Sequence, residues 1–534
     1  MSDPQEAGRR LGPAELGGAV ATGVLVVFSF PLFGASVGLE GTIWVAFVPL
    51  ILAAFGAGPR RGFVLGATAG TVIEGAGFVW ILVAIRNFTA VPAIVASLGF
   101  FLWVAYSTVP WAIFGAALGA ARRPGALLWV VAFWVGLEHH YPRVFPWHVG
   151  GALYSRPWLV QTADVWGASG LTGLVLLANA SAALVALRCA RRARIPWLAV
   201  GGTAALIAAS LAYGAVRLRE VERLEAEAPR LRVAIVQAAL DPRERKARAF
   251  DVYREATREL LSRSPADLAV WPEGAAAGEG VFPFDLAPEA NRPVRERWRD
   301  PDAGSLLQAL AEELRTPIAA GGTGLDASRR PPWSNVLAYA RPGEPLIVYE
   351  KNWRLPLGEV VPFLDLVPEG LRERLGLVFV GTIAAGRTNP LAPCGPHRFR
   401  SLICYEATLP GYVARSAAGA DFLVNITEDA WYGRTAHIPQ HVSVLQLRVV
   451  ENRIPLVRAA NMGPSGVFGI TGRLEHPTRI FREDRAVAEL KVLSLPTAYR
   501  SWGRHLPLAA LLASIAAAAR FGIARRFSRG RPWG

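Results

Sequence analysis

The chain has 534 residues, 52% of them hydrophobic and only 19% charged, with a formal net charge of +15. That balance is too apolar for an ordinary soluble protein of several domains and reads as a membrane protein. The basic excess is almost wholly arginine and lies beside apolar runs, which reports membrane orientation and argues against a nucleic-acid binder with a basic soluble face. Three cysteines, Cys189, Cys394 and Cys404, give no metal-ligand spacing and no disulfide framework, so neither a metal nor another cofactor is expected.

Apolar stretches long enough to cross a bilayer fall at about 17 to 36, 43 to 57, 62 to 85, 89 to 121, 125 to 140, 171 to 189 and 196 to 216, with an eighth at about 505 to 523. Pro92 and Pro110 bear on whether the fourth, long stretch is kinked or split. Arginine placement decides for one crossing. Arg9 and Arg10, Arg60 and Arg61, Arg122 and Arg123, the group from Arg188 to Arg194, and the group from Arg525 to Arg531 mark every second junction. With the positive excess on the cytoplasmic side, both termini are cytoplasmic and the residues between the seventh and eighth spans lie outside. The first span is read as an uncleaved helix rather than a signal peptide, because six spans follow it almost at once.

The predicted organisation is therefore a membrane bundle of seven helices over 1–216, an extracytoplasmic domain over 217–504 with its core at about 230–495, and an eighth helix with a basic tail over 505–534. A segment near 141–170 is rich in aromatics, prolines and glycines and reads as interfacial, with Tyr141, Trp147, Tyr154, Trp158 and Trp166 as belt residues. His139, His140 and His148 are read as interfacial rather than as ligands. Glu74 and Glu138, in or near spans, are read equally as helix-pairing or as pathway residues.

Beyond 217 the charges rise and the apolar runs shorten. Helical patterns such as "DVYREATRELLSR" alternate with "LRVAIVQ", "ADLAVWPE", "PIAAGGT", "PLIVYEK", "RSLICYE" and "ADFLVNIT", short runs that fit buried strands of an α/β domain. Three of these runs deliver Glu273, Lys351 and Cys404 at their carboxyl ends, the edge where α/β sheets build sites. Alone, Cys404 reads as a small packing residue, Glu273 as a turn cap and Lys351 as a solvated charge. Together they form a thiol acyl-transfer set: a carboxylate to take the thiol proton, and an ammonium to favour the thiolate and developing oxyanion charge.

With those residues in view, the sequence resembles the apolipoprotein N-acyltransferase family, membrane-embedded members of the nitrilase, or carbon–nitrogen hydrolase, superfamily. The matching motifs are "VAIVQ" (Val233 to Gln237), "WPEG" (Trp271 to Gly274), "YEKNWRLPLGEVVPF" (Tyr349 to Phe363), "ICYE" (Ile403 to Glu406), "DAWYG" (Asp429 to Gly433), "ENRIPLVRAAN" (Glu451 to Asn461) and an upstream "FPW" (Phe145 to Trp147). The resemblance implies a membrane helical bundle of about eight helices plus a nitrilase-like αββα sandwich. It also implies Glu273 as general base, Lys351 as cationic stabiliser, Cys404 as nucleophile, Glu359 as a further active-site carboxylate, and Tyr405 and Glu406 as supporting residues. The implied reaction moves a fatty acyl chain from a phospholipid, through a cysteine thioester, to the α-amino group of a diacylglyceryl-modified apolipoprotein at the outer face of a bacterial inner membrane. The enzyme is expected to act as a monomer with no nucleic-acid partner.

The chain departs from the family pattern at Glu428, where Asn is usual, at Met462, where Thr is usual, and in the basic run "RERKAR" (Arg243 to Arg248), which replaces an aromatic and reads as a solvated helix or a headgroup contact. Two rivals remain: a membrane-tethered amidase or nitrilase acting on small amides, and a transporter or scaffold whose outer domain only binds.

Overall fold

The computed structural model describes residues 11–31, 39–89, 91–241, 248–278, 281–297, 300–360, 366–374 and 383–529. Arg9, Arg10, residues 243–247 of the basic run, 361–363 of the "YEKNWRLPLGEVVPF" motif, and Arg531 lie outside them. The chain divides into two compact units: Met1–Val79 with Ser97–Arg217 and Ala498–Gly534, and Trp80–Ala96 with Leu218–Thr497. The second unit thus recruits a short stretch that the sequence places in the helical bundle.

Among the described residues, helices Ala93–Ala120, Ala163–Ala190 and Trp197–Ala226 are long and apolar enough to cross a membrane, and Pro59–Gly77 with Trp80–Phe88 makes a fourth if counted as one broken span. Pro13–Phe28, Glu40–Ala54 and Ala126–His140 are apolar but shorter. Three or four qualifying spans, among the described residues, stand against the eight expected from the sequence. The difference arises where apolar runs break into shorter helices, as at Gly77, and because the last helix, Leu506–Arg529, runs into residues whose side chains are not described. Phe101, Leu102, Leu128 and Leu198 are more than half exposed, an apolar exterior that suits hydrocarbon rather than water.

The helices pack through small residues. Gly62 and Gly66 lie against Gly115 and Gly119, and a Cβ built on Gly62, Gly66 or Gly115 would come within 2.2 Å of a facing carbonyl oxygen. Such small-xxx-small seams let helix backbones approach in lipid, where no hydrophobic force draws helices together. Gly66→Leu is therefore expected to destabilise the detergent-solubilised protein by about 1–3 kcal/mol, as overpacking does, read as a lowered thermal midpoint of the helical signal.

Buried polar groups in this unit pair helices. Glu74 accepts from Trp111 Nε1 at 2.9 Å. Glu138 accepts from Val149 N at 2.8 Å and Thr172 Oγ1 at 2.7 Å. Of the expected belt residues, Trp158 is 56% exposed, whereas Trp147 is buried against Phe30, Phe78 and Trp111. The "FPW" tryptophan is thus a packing residue of the bundle and is corrected from the belt.

The second unit is a four-layer sandwich. Its strands are β1 (Arg230–Gln237), β2 (Leu268–Val270), β3 (Phe284–Asp285), β4 (Ile318–Leu325), β5 (Trp333–Arg341), β6 (Glu344–Glu350), β7 (Ile383–Ala384), β8 (Ala392–Cys394), β9 (His397–Ile403), β10 (Phe422–Thr427), β11 (Leu456–Ala460), β12 (Gly466–Phe468), β13 (Leu474–Glu475) and β14 (Asp484–Lys491). One sheet has the order β14-β1-β2-β4-β5-β6, with β3 and β7 added at its margins, and the other runs β13-β12-β11-β10-β9-β8. The inner faces share a core that includes Val233, Val270, Leu337, Tyr349, Ile403, Val424 and Val457. Helices Ala249–Arg263 and Ala303–Leu314 cover the outer face of the first sheet, and Pro410–Ser416 and His437–Asn452 cover the second.

Strand direction explains where the chemistry gathers. β1, β2 and β4 are parallel; β5 is antiparallel to β4 and β6 to β5. β6 therefore runs the same way as β2, and the carboxyl ends of both fall on one edge. β9, β10 and β11 are likewise parallel. The runs expected to be strands all are strands, whereas β5, from "WSNVLAYAR", is an element the sequence reading did not single out.

Candidate active site

Cys404 follows β9 directly and opens a short 3-10 turn, Cys404–Thr408. Its φ is +50°, left-handed backbone that a side chain with a Cβ adopts only at a cost of about 1–3 kcal/mol. The junction puts Cys404 at the carboxyl end of β9, packed at the margin of the core between the sheets. The residue is 8% exposed.

Lys351 follows β6 and is 1% exposed. Its Nζ donates to Glu359 Oε1 at 2.8 Å and lies 3.8 Å from Glu273 Oε1. Glu359 is fixed by its own loop, since Leu355 N donates to Oε2 at 2.7 Å. Glu273 comes three residues after β2, carried by a backbone that passes close under β4: a Cβ on Gly321 would meet Glu273 Cα at 2.6 Å, so only glycine fits there.

Asn335, on β5, was not anticipated. Its Nδ2 donates to Glu273 Oε1 and, at 3.3 Å, to Glu359 Oε1, while its carbonyl accepts from Lys351 N at 2.8 Å. One amide thus spaces two carboxylates around one ammonium. The signal was present in the alternation of "WSNVLAYAR", which puts a polar residue on an otherwise buried strand.

Glu406 and Tyr405 flank the nucleophile differently. Glu406 is buried and accepts from Ile403 N at 2.8 Å, Tyr349 Oη at 2.6 Å, Asn352 N at 2.7 Å and Trp353 N at 2.9 Å. It therefore ties the turn bearing Cys404 to the loop that follows Lys351. Tyr405 is buried, its carbonyl capping Thr408 Oγ1 at 2.7 Å, and burial pushes its hydroxyl up to about 12.

The electrostatics of the three central groups are coupled. Burial lowers the proton affinity of Lys351, but Glu359, Glu273 and the Cys404 sulfur outweigh it and hold the ammonium charged well above its ordinary range. Burial raises the Cys404 thiol, Glu273 adds to this, and Lys351 and the Thr427 hydroxyl oppose it, leaving the thiol well above its ordinary value of 9.0. At neutral pH the sulfur is then a protonated thiol that needs a base at the moment of attack, not a standing thiolate. Alkylation of Cys404 by iodoacetamide is accordingly expected to rise about tenfold per pH unit through pH 9, with the thiolate fraction. A plateau below pH 8 would contradict this assignment.

Of the family departures, Glu428 lies in the loop after β10 and Met462 in the loop after β11. Glu428 accepts from Ala430 N at 2.9 Å and from Asn461 Nδ2 at 3.1 and 3.2 Å. Asn461 also reaches Leu240 and Tyr253, so Glu428 serves a structural latch. Met462 offers its carbonyl to Phe481 N at 2.9 Å. Asp429, fully buried, binds Arg458 at 2.6 Å and lies 3.4 Å from His441 Nδ1. Burial alone would raise the Asp429 carboxyl, but Arg458 and His441 hold it well below its usual range, whereas burial pushes His437 and His441 down, leaving neutral imidazoles.

Asp429, His437 and His441 bring one ligand atom each within 4.8 Å of one another, a spacing from which a metal could be held. Arg458 already supplies the cation for Asp429, and His437 stacks on Tyr432 with ring centroids 3.5 Å apart. The group fits a buried polar network better than a metal centre.

Two facing sheets with helices outside, and an acid, an ammonium and a thiol at shared carboxyl edges, define the carbon–nitrogen hydrolase class; the family model "Carbon-nitrogen hydrolase" matches residues 232–490. The model "Apolipoprotein N-acyltransferase N-terminal domain" matches residues 22–181. Apolipoprotein N-acyltransferases from Geobacter metallireducens and Chlorobaculum tepidum are 30% and 27% identical, the first over 91% of both chains, the second over 93% of this chain and 95% of its own. The chain belongs to the apolipoprotein N-acyltransferase family. Among solved structures it is similar to an amidase from Nesterenkonia sp. AN1 (19% identity, 51% of this chain and 96% of that one, TM-score 0.35) and to a carbon–nitrogen hydrolase from Helicobacter pylori G27 (13%, 52% and 91%, 0.36).

Proposed function

We propose that the protein transfers a fatty acyl chain from a membrane phospholipid to the free α-amino group of a diacylglyceryl-modified cysteine at the N-terminus of apolipoproteins. The observation that carries the reading is the convergence of Glu273 and Glu359 on the buried Lys351 ammonium, beside a thiol on a strained turn, in a chain joined to apolar helices.

In the first half-reaction the Cys404 sulfur attacks an ester carbonyl of the phospholipid as Glu273 takes the thiol proton. The Lys351 ammonium stabilises the negative charge that develops as the carbonyl becomes tetrahedral. The carbon–oxygen bond breaks, the lysophospholipid oxygen takes the proton back from Glu273, and a thioester remains. In the second, the acceptor amine attacks that thioester, Glu273 accepts its proton, the carbon–sulfur bond breaks, and the amide leaves as the thiol is reprotonated. Glu359 and Asn335 hold the ammonium and the base in register through both halves.

Both substrates are lipids, and apolar helices on the same chain deliver an active site to them; a soluble amide would need no such helices. The reading extends to eight crossings with both termini cytoplasmic, the catalytic domain on the outer face of the inner membrane, and a monomeric enzyme. Incubating purified protein with phospholipid and a diacylglyceryl peptide tests it. The peptide is expected to gain one fatty acyl mass on its amine, and none with Cys404→Ala. Release of free fatty acid alone, or cleavage of small amides without peptide acylation, would favour a hydrolase.

A further inference from the structure

An acyl-transfer enzyme with a cysteine thioester must keep water from the intermediate, because water and an amine attack the same carbonyl. We infer that the loop from Asp429 to Gly433, clamped by the Trp80–Phe88 helix, is the barrier that directs the thioester to the amine. The inference rests on the acyl-transfer reading above and identifies what makes that site choose amine over water.

The loop begins where β10 ends, and β10 pairs with β9 up to Ile426 opposite Ile403, one residue before the nucleophile. It is thus the neighbouring strand-end loop to Cys404. Tyr432, near its end, is buried, with its ring stacked on His437 at 3.5 Å; burial, and then the charges of Cys404, Asp429, Glu273 and Glu359, push its hydroxyl up. A bulky, buried aromatic at that point occupies the volume a hydrolytic water would need.

A loop of this kind must be held down, and the holding comes from far away in the sequence. Asn87 Nδ2 donates to the Trp431 carbonyl at 2.8 Å, and Phe88 stacks on the Trp431 ring with centroids 4.7 Å apart. Trp80 packs on Tyr432 at 5.4 Å and on His437 at 4.5 Å, and its Nε1 donates to Gln440 Oε1 at 2.9 Å. These contacts all come from one helix and go with the placement of Trp80–Ala96 in the second unit. From below, Arg458 and His441 fix Asp429 at the start of the loop.

When the barrier opens, water oxygen bonds to the acyl carbon and Glu273 takes its proton. The carbon–sulfur bond breaks, and Cys404 regains a proton as free fatty acid leaves. The experiment follows the preformed acyl-enzyme in phospholipid-depleted detergent, with no acceptor. Its thioester half-life and fatty-acid release are compared for the wild type, Trp80→Ala, Asn87→Ala and Trp80→Phe, the last keeping the stack but losing the bond to Gln440. Trp80→Ala and Asn87→Ala are expected to shorten the half-life at least about tenfold and to raise the ratio of fatty acid to acylated peptide once a diacylglyceryl peptide is added. Trp80→Phe should fall between them and the wild type.

Half-lives and ratios equal to those of the wild type in variants that form the thioester would overturn the inference. If Trp80→Ala does not accumulate thioester, Asn87→Ala decides, since it deletes a single hydrogen bond. A wild type that forms no thioester at all would instead overturn the acyl-transfer reading, so the two failures are distinguishable.

Discussion

Glu273→Gln is expected to slow thioester formation by about 10²–10⁴-fold, the usual contribution of a positioned general base, while leaving the fold intact. The amide has the shape of the carboxylate and can still accept from Asn335, whose Nδ2 holds Oε1. What it cannot do is take a proton from a buried thiol that is protonated at neutral pH. Single-turnover acylation with phospholipid, read by mass, measures the loss. The half-saturating donor concentration should change little, because no donor contact is altered. A rate within tenfold of the wild type would mean that another group removes the proton.

Lys351→Met is expected to damage both rate and stability, and a second substitution separates the two. Methionine fills the volume but leaves Glu273 and Glu359 facing each other with the ammonium gone. Removing one partner of a buried charged set costs about 3–5 kcal/mol, so the denaturation midpoint should fall. Acylation should also fall by about 10²–10³-fold, as when a preorganised oxyanion donor is lost. In Lys351→Met/Glu359→Gln one of the opposed charges is neutralised. Stability should return toward the wild type while the rate does not, which assigns the ammonium a role in the reaction beyond holding the site together. Recovery of both together would reduce Lys351 to a structural cation.

How much of this site was legible from the sequence depends on whether a residue announces itself through strand-end position. Glu273, Lys351 and Cys404 each close a short apolar run; strand direction in the first sheet brings the ends bearing Glu273 and Lys351 to one edge, while Cys404 closes a strand of the facing sheet. Glu359 was legible by resemblance to a family motif. Asn335 gave only the faint signal of a polar residue on a largely buried strand, because that strand has no reactive residue at its end and the side chain matters only once three elements distant in sequence meet. The clamp was illegible for the same reason: Trp80 and Phe88 read as apolar membrane residues, and nothing local says that their rings meet Trp431 and Tyr432 about 350 positions on. Burial of Trp147 was misread because aromatic richness suits both a lipid interface and a packed aromatic cluster. The left-handed backbone at Cys404 also has no signature in a Cys-Tyr-Glu triplet; it follows from the turn that Glu406 ties together.

The central claim is that Cys404 carries the acyl group between two lipids. Intact-protein mass spectrometry of the wild type and Cys404→Ala, after incubation with phospholipid and no acceptor, tests it most directly. The account predicts one fatty-acyl adduct on the wild type, none on the variant, and discharge of the adduct when a diacylglyceryl peptide with a free amine is added. A correctly folded wild type that shows no adduct, or an adduct that persists in Cys404→Ala, would contradict it.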